Sequence, residues 1–157
     1  MLPEGLEITY QEEAWSAVLP ELEACWKAHW DEIAHDKDKM PLDVDYASYA
    51  ALEAIGALHI VTVRVDGELA GYHAAFIRPH LHYHATLCAW TDVYYVKPAF
   101  RQGYLPITLF RKTERFLRAR GVQKLFAGCK VEADKTPLFR RLRWRKADTL
   151  FTKWIGD

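Results

Sequence analysis

The chain has no excess charge of either sign: Lys and Arg total 21, and so do Asp and Glu. A nucleic-acid binder is expected to be basic, so neutrality argues against that class. Cysteine is scarce, with Cys25, Cys88 and Cys129 far apart. An odd number without a CxxC spacing indicates neither a disulfide framework nor a zinc knuckle. Free thiols of this kind fit a reducing, cytoplasmic setting. No apolar run approaches the roughly 20 residues of a membrane span, which argues against a membrane partner. The opening MLPEGLEITY lacks the basic start and apolar centre of a signal peptide. Internal repeats, low-complexity runs and Gly/Ser linkers are missing as well. Neither GxGxxG nor GxxxxGK[ST] occurs, which excludes the dinucleotide fingerprint and the nucleotide P-loop.

What is present suits one domain over residues 1–157, with one core. Half the residues are hydrophobic and 13% are aromatic, a composition that does not favour disorder. The neutral total hides an asymmetry. Acidic residues dominate from Glu4 to Glu53 and basic ones from Arg101 to Arg145. An anionic ligand near the C-terminal half is the physical reading.

Hydrophobic periodicity orders the chain. LEITY alternates like a short strand. Ala14, Val18, Leu22, Cys25, Trp26 and Ile33 fall at helical spacing, with Pro20 predicting a kink or a break into two helices. A further helix follows, capped by Asp45 and ended by Gly56. Two apolar runs flank Asp66-Gly67, the pattern of a tight hairpin. HLHYHA connects to a long strand, TLCAWTDVYYV. A helix over GYLPITLFRKTERFLRARG presents Leu105, Leu109, Thr113, Phe116 and Leu117. VQKLFAG reads as a strand, DKTPLFRRLRW as a short helix and ADTLFTKWI as a final strand. The order is β-α-α-β-β-β-α-β-α-β. It predicts an α/β (α+β) fold with a mixed sheet flanked by helices. Thr86–Val96 and Val122–Ala127 are expected to run parallel, with the helix between them crossing over.

The turn PAFRQGYLP joins that long strand to a helix N-terminus. The first amides of a helix have no internal partner and carry partial positive charge. Gly103 allows close approach to the backbone, and Arg101 adds a charge-assisted donor. Pro106 fits the first turn while removing one donor. The combination suits phosphate or pyrophosphate. The alternative is a plain strand–helix turn.

The stretch DVYYVKPAFRQGYLPITLFRKTERFLRARGVQKLF resembles the GNAT family of acyl-CoA-dependent N-acetyltransferases. The order of elements over the whole chain is similar too. HWDEIAHDKDKMPL, RPHLHYH and TDVYYVKPAFR look like a phage and prophage branch of that family. The resemblance implies acetyl-CoA as co-substrate and no metal. It implies a coenzyme seat at Tyr95, Val96, Arg101, Gln102, Gly103, Tyr104, Leu105 and Pro106, with an amide near Tyr95 or Val96 for the thioester oxygen. The chain departs from the motif, because Tyr104 and Pro106 stand where the family has small residues. Phe139 stands where a tyrosine often protonates the leaving thiolate. Tyr94, Tyr95 and Tyr104 are the substitutes, beside solvent.

Acyl transfer to an amine needs a base, because an alkyl ammonium has a pKa of ~10. Asp92 is the lone acid of its apolar strand. Burial there would raise its pKa, although a structural hydrogen bond is an equal reading. His29, Trp30, Asp31 and Glu32 cluster where the family builds its acceptor pocket. His80, His82 and His84 alternate. They suit a pocket wall or a solvated loop better than a metal site, because no further Cys/His cluster has zinc spacing. The run FRRLRWRK fits a solvated helix face near the coenzyme's 3′-phosphate better than an RNA contact. The expected function is direct acyl transfer to a small-molecule or protein amine, with no nucleic acid or membrane as partner. A homodimer is left open. The alternative is a non-catalytic coenzyme A-binding or regulatory module.

Overall fold

The computed structural model describes residues 5–156. Five strands form one sheet in the order β1-β2-β3-β4-β5. They are β1 (Ile8–Glu12), β2 (Leu58–Val65), β3 (Glu68–His80), β4 (Tyr83–Val96) and β5 (Lys124–Phe126). All neighbours are antiparallel except β4 and β5, which are parallel as expected. The helices are α1 (Trp15–Ile33), α2 (Tyr46–Ala54), α3 (Leu105–Ala119) and α4 (Thr136–Arg141).

Strand alternation divides the core between the two faces of the sheet. Leu58 and Ile60 of β2 pack with Tyr72, Tyr95 and the α1 residues Trp15, Val18 and Leu22. Val61, Val63 and Val65 face the other way, onto Leu105 and Leu109 of α3. The expected α3 stripe holds, with Leu105, Leu109, Thr113 and Leu117 buried. Asp66 and Gly67 both take positive φ angles, 48° and 85°, as the two-residue hairpin turn requires. The Asp45 carboxylate caps α2 by accepting from the Ser48 amide at 2.9 Å.

Two expectations fail for physical reasons. Of the two outcomes expected at Pro20, a kink or a break, the break does not occur: α1 runs from Trp15 to Ile33 as one helix. An interior proline costs about 3 kcal/mol. Here Trp15, Val18, Leu22 and Cys25 bury a continuous stripe on both sides of it, and each large apolar side chain returns roughly 1.5–3 kcal/mol. Ser16 and Pro20 are exposed, so the carbonyl that loses its amide partner lies on the solvent side of the helix. The second failure is the final strand. Residues 147–155, rich in β-favouring Thr, Phe, Trp and Ile, pair with no strand. Leu150, Phe151 and Ile155 remain 96%, 88% and 89% exposed. The edge they would need is only three residues long, since β5 pairs with β4 only from Cys88↔Lys124 to Trp90↔Phe126.

Candidate functional site

That short pairing creates a fork. Past Trp90, β4 continues while β5 ends, so residues 91–96 present one open edge. Lys97 donates its amide to Ala70 O at 2.8 Å, and Val96 lies opposite Gly71. In an antiparallel ladder the paired groups alternate. The backbone groups of Tyr95 therefore point to β3, and those of Tyr94 and Val96 point into the fork. Of the two expected oxygen donors, the alternation selects Val96. Gly71 is required opposite it, since a Cβ there would lie 2.6 Å from Tyr95 O.

A cavity of about 650 Å³ fills the fork, lined by Asp92 through Val96, Arg101, Gly103, Pro106 and Phe110, with Gly128, Cys129 and Lys130 on the far wall. Gly103 turns the chain into α3 with φ of 78°, and open space surrounds the position a Cβ would take. Tyr104 precedes α3 without a side-chain cap, and Pro106 sits in its first turn. The helix N-terminus thus offers backbone amides, while Lys135 and Arg141 add positive charge to the cavity wall.

Four expected cofactor residues have other tasks or positions. Arg101 donates from Nε to Val96 O at 2.7 Å and holds Glu32 through both terminal nitrogens, at 3.0 and 2.6 Å. It ties the end of α1 to the fork instead of standing as an isolated phosphate ligand. The Tyr104 side chain is 79% exposed and Leu105 is buried in the core, so only their amides can serve an anion. Gln102 lies in the turn between Arg101 and Gly103.

Asp92 occupies a β-bulge. Ala74 faces Val93 and Ala75 faces Thr91, so Asp92 has no partner on β3. The bulge re-aims its carboxylate toward the cavity. Asp92 is open to solvent on that side, yet the protein packed around its carboxylate still desolvates it enough to raise its pKa above the ordinary 3.8, against the opposing hydrogen bond from the Tyr49 hydroxyl. Tyr49 comes from α2, far off in sequence. The same desolvation, with the Asp92 charge beside it, holds the Tyr49 phenol protonated.

Tyr94 lines the cavity and donates its hydroxyl to Gly128 O at 2.9 Å across the fork. Burial first, then Cys129 and Asp134, push its pKa above the phenol's usual 10.0. Its ring meets Phe139 edge-on at 6.2 Å. Tyr95 instead packs into the α1 face at 7% exposure, and Tyr104 does not line the cavity. Tyr94 and Tyr95 both line the cavity, and of the three tyrosines Tyr94 is the one whose hydroxyl reaches across the fork.

A second cavity of about 340 Å³ adjoins the first through His29, Ile33, Val93 and Lys130. The expected acceptor residues His29 and Trp30 line it, and Glu32 lines the first cavity. The His29 ring lies 3.3 Å through Nδ1 from the Tyr72 hydroxyl. Burial lowers its pKa to about 4 against the raising effect of Glu32, with Arg101 adding a smaller lowering effect, so it is neutral at pH 7. His80 and His82 line neither cavity. β2 pairs with β3 only as far as Phe76, and the β3–β4 hairpin overhangs the sheet with these histidines at its tip. There His80 packs on Tyr83 and Trp90. Among the described residues no three His, Cys, Asp or Glu side chains gather as a metal would require. No helix among them is long and apolar enough to cross a membrane.

Comparisons place this geometry. Solved structures share the fold throughout the chain. One is a ribosomal-protein-alanine N-acetyltransferase from Brucella melitensis biovar Abortus 2308, at 17% identity and a TM-score of 0.75, covering 96% of this chain and 99% of that one. Another is the aminoglycoside N-acetyltransferase AAC(6')-Iy in complex with CoA, at 16% identity and 0.71, covering 99% and 100%. A third is a predicted acetyltransferase from Clostridium acetobutylicum with acetyl-CoA, at 10% identity and 0.70, covering 95% and 97%. No curated protein matches in sequence. The profile of the Acetyltransferase (GNAT) family spans residues 15–142. The chain belongs to the GNAT acetyltransferase family.

Proposed function

We propose that the protein is an N-acyltransferase that takes an acetyl group from acetyl-CoA and passes it directly to an amine. The observation that carries this reading is the fork. An unpaired β4 edge ends beside an uncapped helix N-terminus, and a carboxylate and a phenol flank the opening. An extended pantetheine arm would lie along β4 as a strand does, meeting the inward-facing groups of Tyr94 and Val96. The pyrophosphate would meet the amides of Gly103, Tyr104 and Leu105, with Lys135 and Arg141 nearby. Acetyl-CoA supplies the activated acyl group. The Val96 amide hydrogen-bonds the thioester oxygen as charge grows on it. Asp92 removes the ammonium proton, directly or through water, so that the nitrogen lone pair attacks the acyl carbon. As the C–S bond breaks, Tyr94 gives its proton to the departing sulfur, and the second proton shed by the new amide nitrogen returns to Tyr94 through solvent. Arg101 and Glu32 position Val96. His29, Trp30 and Glu32 belong to the acceptor side.

Gly103→Asp tests the seat. The substitution forces a side chain into the left-handed region and puts a negative charge at the anion site. Titration calorimetry should show acetyl-CoA affinity lowered at least about tenfold, equivalent to 1.4 kcal/mol. Equal affinity in wild type and variant would remove the assignment.

Direct transfer is supported by the thiols. Cys25 and Cys88 are buried. Cys129 lines the cavity, but its thiol donates to the Asp134 carboxylate, whose Oδ1 lies 3.7 Å away. A carboxylate does not favour a thiolate, and no base stands ready to generate one. Cys129→Ser should keep turnover within about threefold of wild type, well inside the effect of losing a nucleophile. Loss of activity together with a trapped acetyl-cysteine in the wild type would point to a covalent route.

A further inference from the structure

The second cavity has a chemical character of its own. Four aromatic rings line it, from Trp26, Trp30, Tyr49 and Tyr72. Leu42, Val44 and Val93 add aliphatic wall. At about 340 Å³ it sits at the small end of ligand cavities, which run from roughly 300 to 1,000 Å³. Its inner end opens at Val93 toward Asp92, to which Tyr49 is hydrogen-bonded. An amine nitrogen reaching that end would meet the carboxylate, and its carbon skeleton would lie among the rings.

The outer end carries charge of both signs. The ammonium groups of Lys27 and Lys37 stand over the Trp30 ring, 5.4 and 5.2 Å from its centroid, and Asp31 holds both, Lys27 as an ion pair and Lys37 through the Asp31 carbonyl. Lys130, Asp43 and Asp45 line the cavity wall. Asp45 is committed to capping α2, accepting from Ser48 N at 2.9 Å and Ser48 Oγ at 2.6 Å. A molecule with several ammonium groups could set one against Asp43 but would place the others against Lys130 or apolar surface, and an unpaired desolvated charge is costly. A single ammonium on an apolar body meets the inner carboxylate and leaves no charge on that surface.

We infer that the acceptor is a small primary amine with one positive charge and an aromatic or aliphatic body, an arylalkylamine in its simplest form. The inference rests on the proposed acyl transfer for its name as an acceptor, but the cavity's binding preference stands by itself. The test therefore reads binding. 2-Phenylethylamine, spermidine and kanamycin are titrated separately into the full-length protein saturated with CoA. 2-Phenylethylamine should bind at least about tenfold more tightly than either polycation, and Trp30→Ala should weaken it about tenfold, in line with the worth of a desolvated aromatic contact. Thermal unfolding of Trp30→Ala confirms that it is folded, and Leu42→Asp at the exposed rim serves as a second variant with the same expected loss. Equal or tighter binding of kanamycin or spermidine would overturn the inference, as would no binding of 2-phenylethylamine. Acetylation of kanamycin in that case would leave the acyltransferase reading intact. Binding of 2-phenylethylamine without transfer from acetyl-CoA would support the cavity preference and remove the acyltransferase reading.

Discussion

Asp92→Asn is expected to lower turnover by about a hundredfold or more while leaving acetyl-CoA affinity close to wild type, since general bases contribute on that order. The substitution keeps the shape of the bulge and removes only the basicity. Burial holds the Asp92 pKa above 3.8, so the acidic limb of the wild-type pH–rate profile should lie above that value and vanish in Asp92→Asn. Stability supplies a second readout with a definite sign. A raised carboxyl pKa means that the folded state holds its proton more tightly than the unfolded chain does. Folding stability therefore falls as pH rises from the unfolded value through the folded one, and the deficit is complete at neutral pH. Asp92→Asn should melt at the same temperature as wild type or higher at pH 7, and the difference should shrink as pH falls toward 4. A variant that unfolds instead would make Asp92 a structural residue. One that keeps full rate would place proton removal in water or at another group.

Tyr94→Phe is expected to cost about a hundredfold in turnover, again with acetyl-CoA binding little changed, because the phenol acts only as the C–S bond breaks. Its pKa is raised above 10.0, so the wild-type profile should show no alkaline limb from this group below pH 10. Tyr94→Phe also removes the hydrogen bond to Gly128 O, and retained coenzyme affinity separates any opening of the fork from loss of the acid. Phe139 provides the sharper control. Its ring is 6.2 Å from that of Tyr94, so Phe139→Tyr should restore part of the rate in the Tyr94→Phe background and change little alone. Failure of both variants to alter the rate would assign thiolate protonation to solvent.

Local chemistry made much of the fold readable. The Asp66-Gly67 turn, the Asp45 cap and the α3 stripe each rest on interactions within a few residues, and each forms as expected. Pro20 misled because its local cost is set against tertiary burial on both sides of it. The final strand misled because β-favouring residues report only a preference for pairing, and the neighbouring β5 is three residues long. The site followed the same division. Gly103 and the α3 N-terminus were legible because a strand–turn–helix junction has a local signature. Asp92 stood out as one acid among apolar residues, but its bulge leaves no mark in the sequence. Tyr49, which donates to Asp92 from 43 residues away, and the engagement of Arg101 by Glu32 depend on how α1 and α2 dock, and no spacing announces them. His80 and His82 alternated like a pocket wall, yet the overhang of the hairpin carries them off. The likeness to a phage branch rested on three short stretches and finds no support among the structural relatives.

The most direct test of the central claim is one measurement: release of free CoA thiol from acetyl-CoA, followed together with the mass of the added amine, with 2-phenylethylamine and a wider amine panel as acceptors. The account predicts thiol release that depends on both enzyme and amine, with one acetylated amine formed for each thiol freed, and with Asp92→Asn lowering both signals in parallel. Tight acetyl-CoA binding with thiol release no faster than spontaneous hydrolysis across the panel would contradict it and make the fork the seat of a coenzyme-binding module.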